Sequence, residues 1–312
     1  MGNYLGAIRP HLDAQDDAKH DRFYFIANYH SLTSLQDRQK LEELTLDVAR
    51  TYLALGLDPQ KSLLFLQTDV PEVCELSWVL STVTSMGLLQ RCHSYKDKVA
   101  KGLTPNHGLF AYPVLMAADI IIYDSHLVPV GADQKQHVEV TRDLAIRFNH
   151  VYGETLVVPE PVIKEEVAVI PGTDGQKMSK SYNNSIDIFA TKKALKKQIM
   201  AIVTDSKGLD EPKDPATCNV VRLYRYFATK EEVAEMEANY RAGGFGYGHA
   251  KLALFEKVNE MMAPYRDRYE YLKANEDEVF DILKTCGRQA REVASETMRR
   301  VREVTGLRTT LY

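Results

Sequence analysis

Three short apolar runs constrain this chain more than any other feature: Phe23-Tyr24-Phe25-Ile26-Ala27, Ser62-Leu63-Leu64-Phe65-Leu66 and Leu127-Val128-Pro129-Val130. Each is short and does not alternate with polar residues, so each reads as a strand covered on both faces, the pattern of a parallel sheet. Amphipathic stretches lie between them. Leu41, Leu44, Leu46, Val48, Tyr52 and Leu55 fall near helical spacing between Gln39 and Leu55, with Gly56 placed as a C-terminal cap. Pro71 opens a second helix carrying Val73, Leu76, Val79, Leu80 and Val83, with Gly87 beyond it. Residues 5–22 read as a polar helix and a turn, and 112–120 as a further helix. Strands alternating with helices predict an α/β fold, a Rossmann-like doubly wound parallel sheet.

Beyond residue 190 the character changes. Segments 192–203, 215–227, 231–241, 249–274 and 276–304 read as helices, and no strand pattern remains. Two domains are therefore expected: a parallel-sheet domain over 1–190 and a mainly α-helical one over 191–312. No apolar run approaches the roughly 20 residues that span a bilayer, so no membrane role is expected. The N-terminus lacks the basic and apolar regions of a secretion signal. Cys74, Cys92, Cys218 and Cys286 are scattered with no C-x-x-C, which argues against a disulfide framework or zinc site and fits a reducing cytoplasm. The net charge of −4 gives no global pull towards nucleic acid, though it leaves room for a local basic face.

Two stretches carry chemistry. Lys177-Met178-Ser179-Lys180-Ser181 sits between the turn-rich Pro171-Gly172-Thr173-Asp174-Gly175 and the loop Ser181-Tyr182-Asn183-Asn184. Lysine charge, serine hydroxyls and loop N–H groups together suit a clamp for phosphate oxygens. A bare K-x-x-K is usually an ordinary surface loop; the five-residue string is far more specific. The second stretch, Gly131-Ala132-Asp133-Gln134, turns from the third strand into a helix over Lys135–Phe148. An open parallel sheet presents ligand-binding groups at such a turn.

K-M-S-K-S after a Rossmann-like half resembles the second signature of the class I aminoacyl-tRNA synthetases. Y-P-V-L-M-A-A-D at 112–119, V-P-V-G-A-D-Q-K-Q-H at 128–137, G-N-Y-L-G-A at 2–7 and Y-R-A-G-G-F-G-Y-G at 240–248 are similar to the bacterial tryptophanyl branch, in order along the whole chain. The resemblance implies a catalytic domain over 1–190, a helical anticodon- and tRNA-binding domain over 191–312, and a cytoplasmic homodimer. It implies that ATP with Mg²⁺ activates L-tryptophan to the adenylate, which then acylates tRNA(Trp). Lys177, Ser179 and Lys180 would stabilise charge on the departing pyrophosphate. Gly2, Asn3, Gly131, Asp133, Gln134, Ile170, Lys177, Met178, Ser179, Lys180 and Ser181 would contact ATP, with Asp133 on the ribose.

Tyr112, Met116, Asp119, Gln134 and His30 would hold tryptophan. An indole offers one donor and no acceptor, so an apolar pocket with one placed acceptor selects it. Met116 and Asp119, three apart, share a helix face. Without the resemblance Asp119 reads as a solvated helix end, His30 equally as a core histidine, and Lys98, a candidate triphosphate contact, equally as a surface lysine. Gly243–Gly248 reads as a linker between helices rather than a phosphate loop. Arg288, Arg291, Arg299, Arg300, Arg302 and Arg308 could contact tRNA phosphates, although Glu292, Glu296 and Glu303 dilute the charge and a solvated face is the simpler reading. Two alternatives keep their place: an inactive relative binding tryptophan or ATP, and a tyrosyl enzyme.

In one respect the chain departs from the pattern. Gly2-Asn3 match the second half of the family's first signature, H-x-G-H or H-x-G-N, and Met1 stands just before them. The strand, turn and leading residue that precede Gly2 in the family are not in this sequence. The expectation is a start site assigned within the motif; a genuine 312-residue product is expected to fold and catalyse poorly.

Overall fold

The computed structural model describes residues 1–92, 106–163 and 169–308. A π-helical turn, Tyr4–Ile8, leads into α1 (Arg9–Ala14), then β1 (Phe23–Ile26), α2 (Asn28–Ser31), α3 (Arg38–Ala54) and β2 (Leu63–Leu66). Next come α4 (Glu72–Val83), α5 (Met86–Arg91), α6 (His107–Ile121), β3 (Leu127–Val130), α7 (Lys135–Tyr152) and β4 (Glu160–Ile163). The remainder is helical: α8 (Lys192–Met200), α9 (Asn219–Tyr224), α10 (Lys230–Ala242), α11 (Tyr247–Ala274) and α12 (Glu276–Thr305). The architecture is α/β with parallel strands. β1 pairs with β2, Phe23 opposite Leu63, and β3 pairs with β4, Leu127 opposite Glu160. Among the described residues these are two separate pairs rather than one continuous sheet. β4, which carries Pro161, has no counterpart in the strand pattern read from the sequence. In a two-stranded pair every strand is an edge, and there proline is tolerated.

The chain packs as two compact units, each discontinuous in sequence, so packing does not divide at residue 190. Unit 1 comprises Met1–Ala18, Arg50–Leu57 and Val167–Glu276; unit 2 comprises Lys19–Ala49, Asp58–Glu166 and Asp277–Tyr312. In unit 1, Met1, Tyr4, Leu5 and Ile8 are buried with Ile186, Leu195, Ile199, Val220, Leu254 and Val258, so the N-terminal segment is an anchored element rather than a polar helix. α9 is shorter than the expected 215–227: Asp214 accepts from Ala216 N–H (2.9 Å) and the Thr217 hydroxyl (3.1 Å), holding a turn where helix was expected. α8 likewise ends early, and Val203 N–H donates to Thr173 O (2.7 Å) instead of continuing it. Gly243, φ +79°, leaves α10 into the linker before α11, as the glycine-rich run suggests.

Unit 2 holds all four strands around Phe65, Leu76, Leu80, Ile121, Leu144 and Phe148, each under 2% exposed. α12 joins this core through Cys286, Ala290, Ala294 and Met298. Its small residues permit close approach. A Cβ at Gly287 would stand 2.8 Å from Asp69 Cβ. Around the seam, Arg291 pairs with Glu72 (2.8 Å), Arg300 with Asp124 (2.5 Å) and Arg302 Nε with Glu75 (2.8 Å). These arginines face carboxylates of their own unit, as does Arg299, which pairs with Glu296 (2.7 Å). On the outer side of α4 stands the chain's single tryptophan, Trp78, 72% exposed. No described helix is long and apolar enough to cross a membrane. Gly287→Ala is expected to lose about 1–3 kcal/mol of stability through overpacking against Asp69, read from denaturant unfolding.

Candidate active site

Two constellations stand out, one in each unit. In unit 2 the centre is Asp119, near the C-terminus of α6 and 2% exposed. His30 Nε2, from the short α2 after β1, lies 2.8 Å from Asp119 Oδ2. Gln67, directly after β2 and 1% exposed, donates Nε2–H to both carboxylate oxygens at 2.8 Å, while its Oε1 accepts from Tyr29 N–H at 3.0 Å. Both ends of the amide are used, which fixes its orientation and makes it a rigid donor. Burial pushes the Asp119 carboxyl above its ordinary 3.8, and the hydrogen bonds from His30 and Gln67 oppose that rise. Tyr112, two helical turns earlier on α6, meets His30 edge-to-face with ring centroids 6.0 Å apart. Its hydroxyl lies 2.6 Å from Nε2 of His137, a buried residue in the first turn of α7. Met116 and Gln134 are half-buried, one turn before Asp119 and immediately before α7.

The third strand ends as expected. Gly131 leaves β3 in an extended conformation, a 3₁₀ turn covers Ala132–Gln134, and α7 follows at once. The peptide N–H groups of a helix start so placed favour an anionic or hydroxyl-bearing ligand.

In unit 1 the centre is the segment Pro171–Asn184. Pro171 and Lys177 form an antiparallel bridge, and Gly172 N–H donates to Gln176 O (2.7 Å), closing a tight loop. Met178 N–H donates to Ile170 O (2.9 Å) and Ser179 N–H to Asn184 Oδ1 (2.7 Å). The Ser179 and Ser181 hydroxyls lie 2.7 Å apart, and Lys177 is exposed. Several N–H groups expected to reach phosphate are therefore engaged inside the loop, leaving the side chains as the outward donors. Gly2 N–H points at Met178 Sδ (3.1 Å), and a Cβ on Gly2 would come within 3.3 Å of that sulfur.

A family profile described as tRNA synthetases class I (W and Y) matches residues 1–263. This chain belongs to that family of class I synthetases. A tryptophan–tRNA ligase of Fusobacterium nucleatum is 52% identical over 313 residues, covering 100% of this chain and 95% of that protein. One from Rhodopirellula baltica is 53% identical over 98% of this chain and 95% of its own length. Among solved structures, tryptophanyl-tRNA synthetase from Campylobacter jejuni complexed with ADP and tryptophan is 51% identical with a TM-score of 0.92, over 98% of this chain and 95% of that one.

Seen as a class I synthetase, the chain brings Gly2 of the first signature against Met178 of the second, both in unit 1. It also brings His30, Asp119 and Tyr112 together in unit 2. Ile170 turns its carbonyl to Met178. Asn3 is exposed. The side chains of Asp133 and Lys180 are not among those described, and Lys98 lies outside the described residues. Gln67, His137 and Asn184 were not singled out from sequence. For Gln67 a signal existed, its position just past the C-terminal end of a parallel strand. Asn184 had none beyond its place in a loop.

Two outcomes test this geometry. Gln67→Leu leaves part of a buried carboxylate without its donor and is expected to lower stability by about 1–3 kcal/mol, measured by chemical denaturation. Because the folded-state pKa of Asp119 is raised, the stability linked to it is present below the ordinary value of 3.8 and lost as pH rises through the folded value. Asp119→Asn is expected to flatten that fall in a pH series of denaturation curves.

Proposed function

We propose that this protein is a tryptophan–tRNA ligase: it activates L-tryptophan with ATP to the enzyme-bound adenylate and transfers the aminoacyl group to tRNA(Trp). The observation that carries this reading is full-length similarity, above half identical, to a ligase of that specificity. The site in unit 2 supports it. Asp119 is held by Gln67 and His30 as an acceptor of fixed direction, which suits the single ring N–H of an indole. Met116 would pack on the ring through its polarizable sulfur. Tyr112 and Gln134 would meet the amino-acid head group. Selectivity on this geometry comes from where Asp119 is aimed. With two partners already bonded, the carboxylate is not stripped of hydrogen bonds when a wrong side chain enters.

The first step is an in-line attack of the tryptophan carboxylate on the α-phosphorus, releasing pyrophosphate; no protein nucleophile is required. Lys177 and Lys180, with the Ser179 and Ser181 hydroxyls, would neutralise charge that develops on the leaving pyrophosphate. Gly2, Asn3, Ile170 and Met178 would border the nucleotide, and Gly131, Asp133 and Gln134 would take its ribose. Mg²⁺ would arrive on the triphosphate oxygens. Such an ion keeps substrate and water oxygens as most of its ligands. The helices after residue 190 would carry tRNA, and the working form would be a cytoplasmic homodimer.

Lys180→Ala and Lys177→Ala are each expected to slow tryptophan-dependent pyrophosphate exchange by on the order of 10²–10³ with the KM for tryptophan nearly unchanged. Exchange at the parental rate in both would overturn the clamp. Exchange driven by tyrosine in place of tryptophan would overturn the substrate.

A further inference from the structure

Asn184 lies beyond the signature string, yet the loop is built around it. The residue is 2% exposed. Its Oδ1 accepts from Ser179 N–H (2.7 Å); its Nδ2 donates to Asp174 Oδ1 (2.8 Å) and Lys177 O (3.1 Å); its main-chain oxygen accepts from Thr173 N–H (2.9 Å). One side chain thus joins Lys177 and Ser179 of the lysine-bearing segment to the turn before it. Asp174 Oδ1 in turn accepts from Gln176 N–H (3.0 Å), so the turn is tied to the same centre.

The local backbone makes room for this arrangement. Asn183 sits in the left-handed region at φ +52°, a conformation that asparagine tolerates better than most residues, and this reverses the chain so that Asn184 points back inside. Gly172 faces it without a side chain. A Cβ there would stand 2.5 Å from Asn184 Cγ and Nδ2 and 2.8 Å from its carbonyl oxygen. At Gly175, φ +83°, a Cβ would stand 2.6 Å from Asn219 Nδ2. Gly172 is needed where the two sides of the loop come closest, and the neighbour it accommodates is Asn184.

We infer that Asn184 is the positioning residue of the phosphate clamp: its hydrogen bonds to Ser179 N–H and Lys177 O fix the main-chain course from which Lys177, Ser179 and Ser181 project. The inference rests on the reading of Lys177–Ser181 as that clamp. A buried amide with acceptor and donor both engaged resists rotation, because turning it leaves Ser179 N–H and Lys177 O facing groups of their own kind. The lysine and serine side chains then start from a fixed base. A displacement of about 1 Å in such groups is enough to remove about 10²-fold from a reaction that depends on placement of charge.

The test is tryptophan-dependent pyrophosphate exchange by the full chain, with each variant's unfolding curve measured so that rates are compared where all are folded. Asn184→Ala is expected to lower kcat by about 10²-fold with the KM for tryptophan unchanged. Gly172→Ala, which keeps every hydrogen-bonding group but pushes Asn184 out of place, is expected to do the same. Parental kcat in both single variants, beside a slowed Lys177→Ala, would overturn the inference and leave the clamp standing. Parental kcat in Lys177→Ala as well would remove the clamp and the inference with it. A rise in tryptophan KM matching the loss of kcat would mark Asn184 as general scaffolding and overturn the proposal.

Discussion

A carboxylate sealed from water has to be given its hydrogen bonds by the protein, and in unit 2 that demand falls on Asp119. An isolated buried charge is unfavourable by several kcal/mol, so the residues around it are organised to answer it. Gln67 reaches both oxygens from the end of β2, and His30 reaches one from the end of β1. The two strands lie in parallel register, Ile26 opposite Leu66, which puts these donors at the same end of the pair. α6 brings Asp119 to that end, and Tyr112 and His137 extend the polar cluster along it. Strand pairing, helix placement and pocket chemistry thus meet at one group. A shift in register would leave the carboxylate short of partners.

Unit 1 meets a different demand. Its loop must hold cationic side chains near a surface without a sheet to support them, so the support comes from within the loop. Ile170, Asp174 and Asn184 accept or donate to nearly every turn of the segment, and Met178 folds its side chain back against Gly2. The methionine of the signature therefore contributes packing and a soft acceptor for a main-chain N–H, while Lys177 beside it stays exposed. Gly172 is required by contact rather than by backbone conformation, while Gly2 packs closely on the Met178 side chain.

Much of the fold was legible in the residues. The runs at 23–27, 62–66 and 127–130 became strands, although the third is not covered on both faces as its apolar character suggests: Leu127 is exposed. β4 was not legible, since Pro161 within it is permitted by its being at an edge, a fact of tertiary pairing. The shortened α9 was hidden for a similar reason: Asp214 captures neighbouring donors and ends helical hydrogen bonding locally. Lys177–Ser181 and Gly131–Gln134, the two segments proposed for the site, stand out in the sequence by motif. The supporting residues do not, because Gln67 and Asn184 act across 52 residues and across a loop closure respectively, and a single amide in a sequence carries no mark of either. The two interleaved units lay equally beyond a linear reading: segments distant in sequence, such as Met1–Ala18 and Val167–Glu276, share one core.

Trp78, the lone tryptophan, stands on the outer side of α4, mostly in water. Its emission should therefore resemble that of free indole, long in wavelength and readily quenched by dissolved ions. An indole taken into an apolar cavity would emit at shorter wavelength and be shielded from quencher. The protein thus carries a built-in optical contrast between its own aromatic label and any substrate indole it encloses.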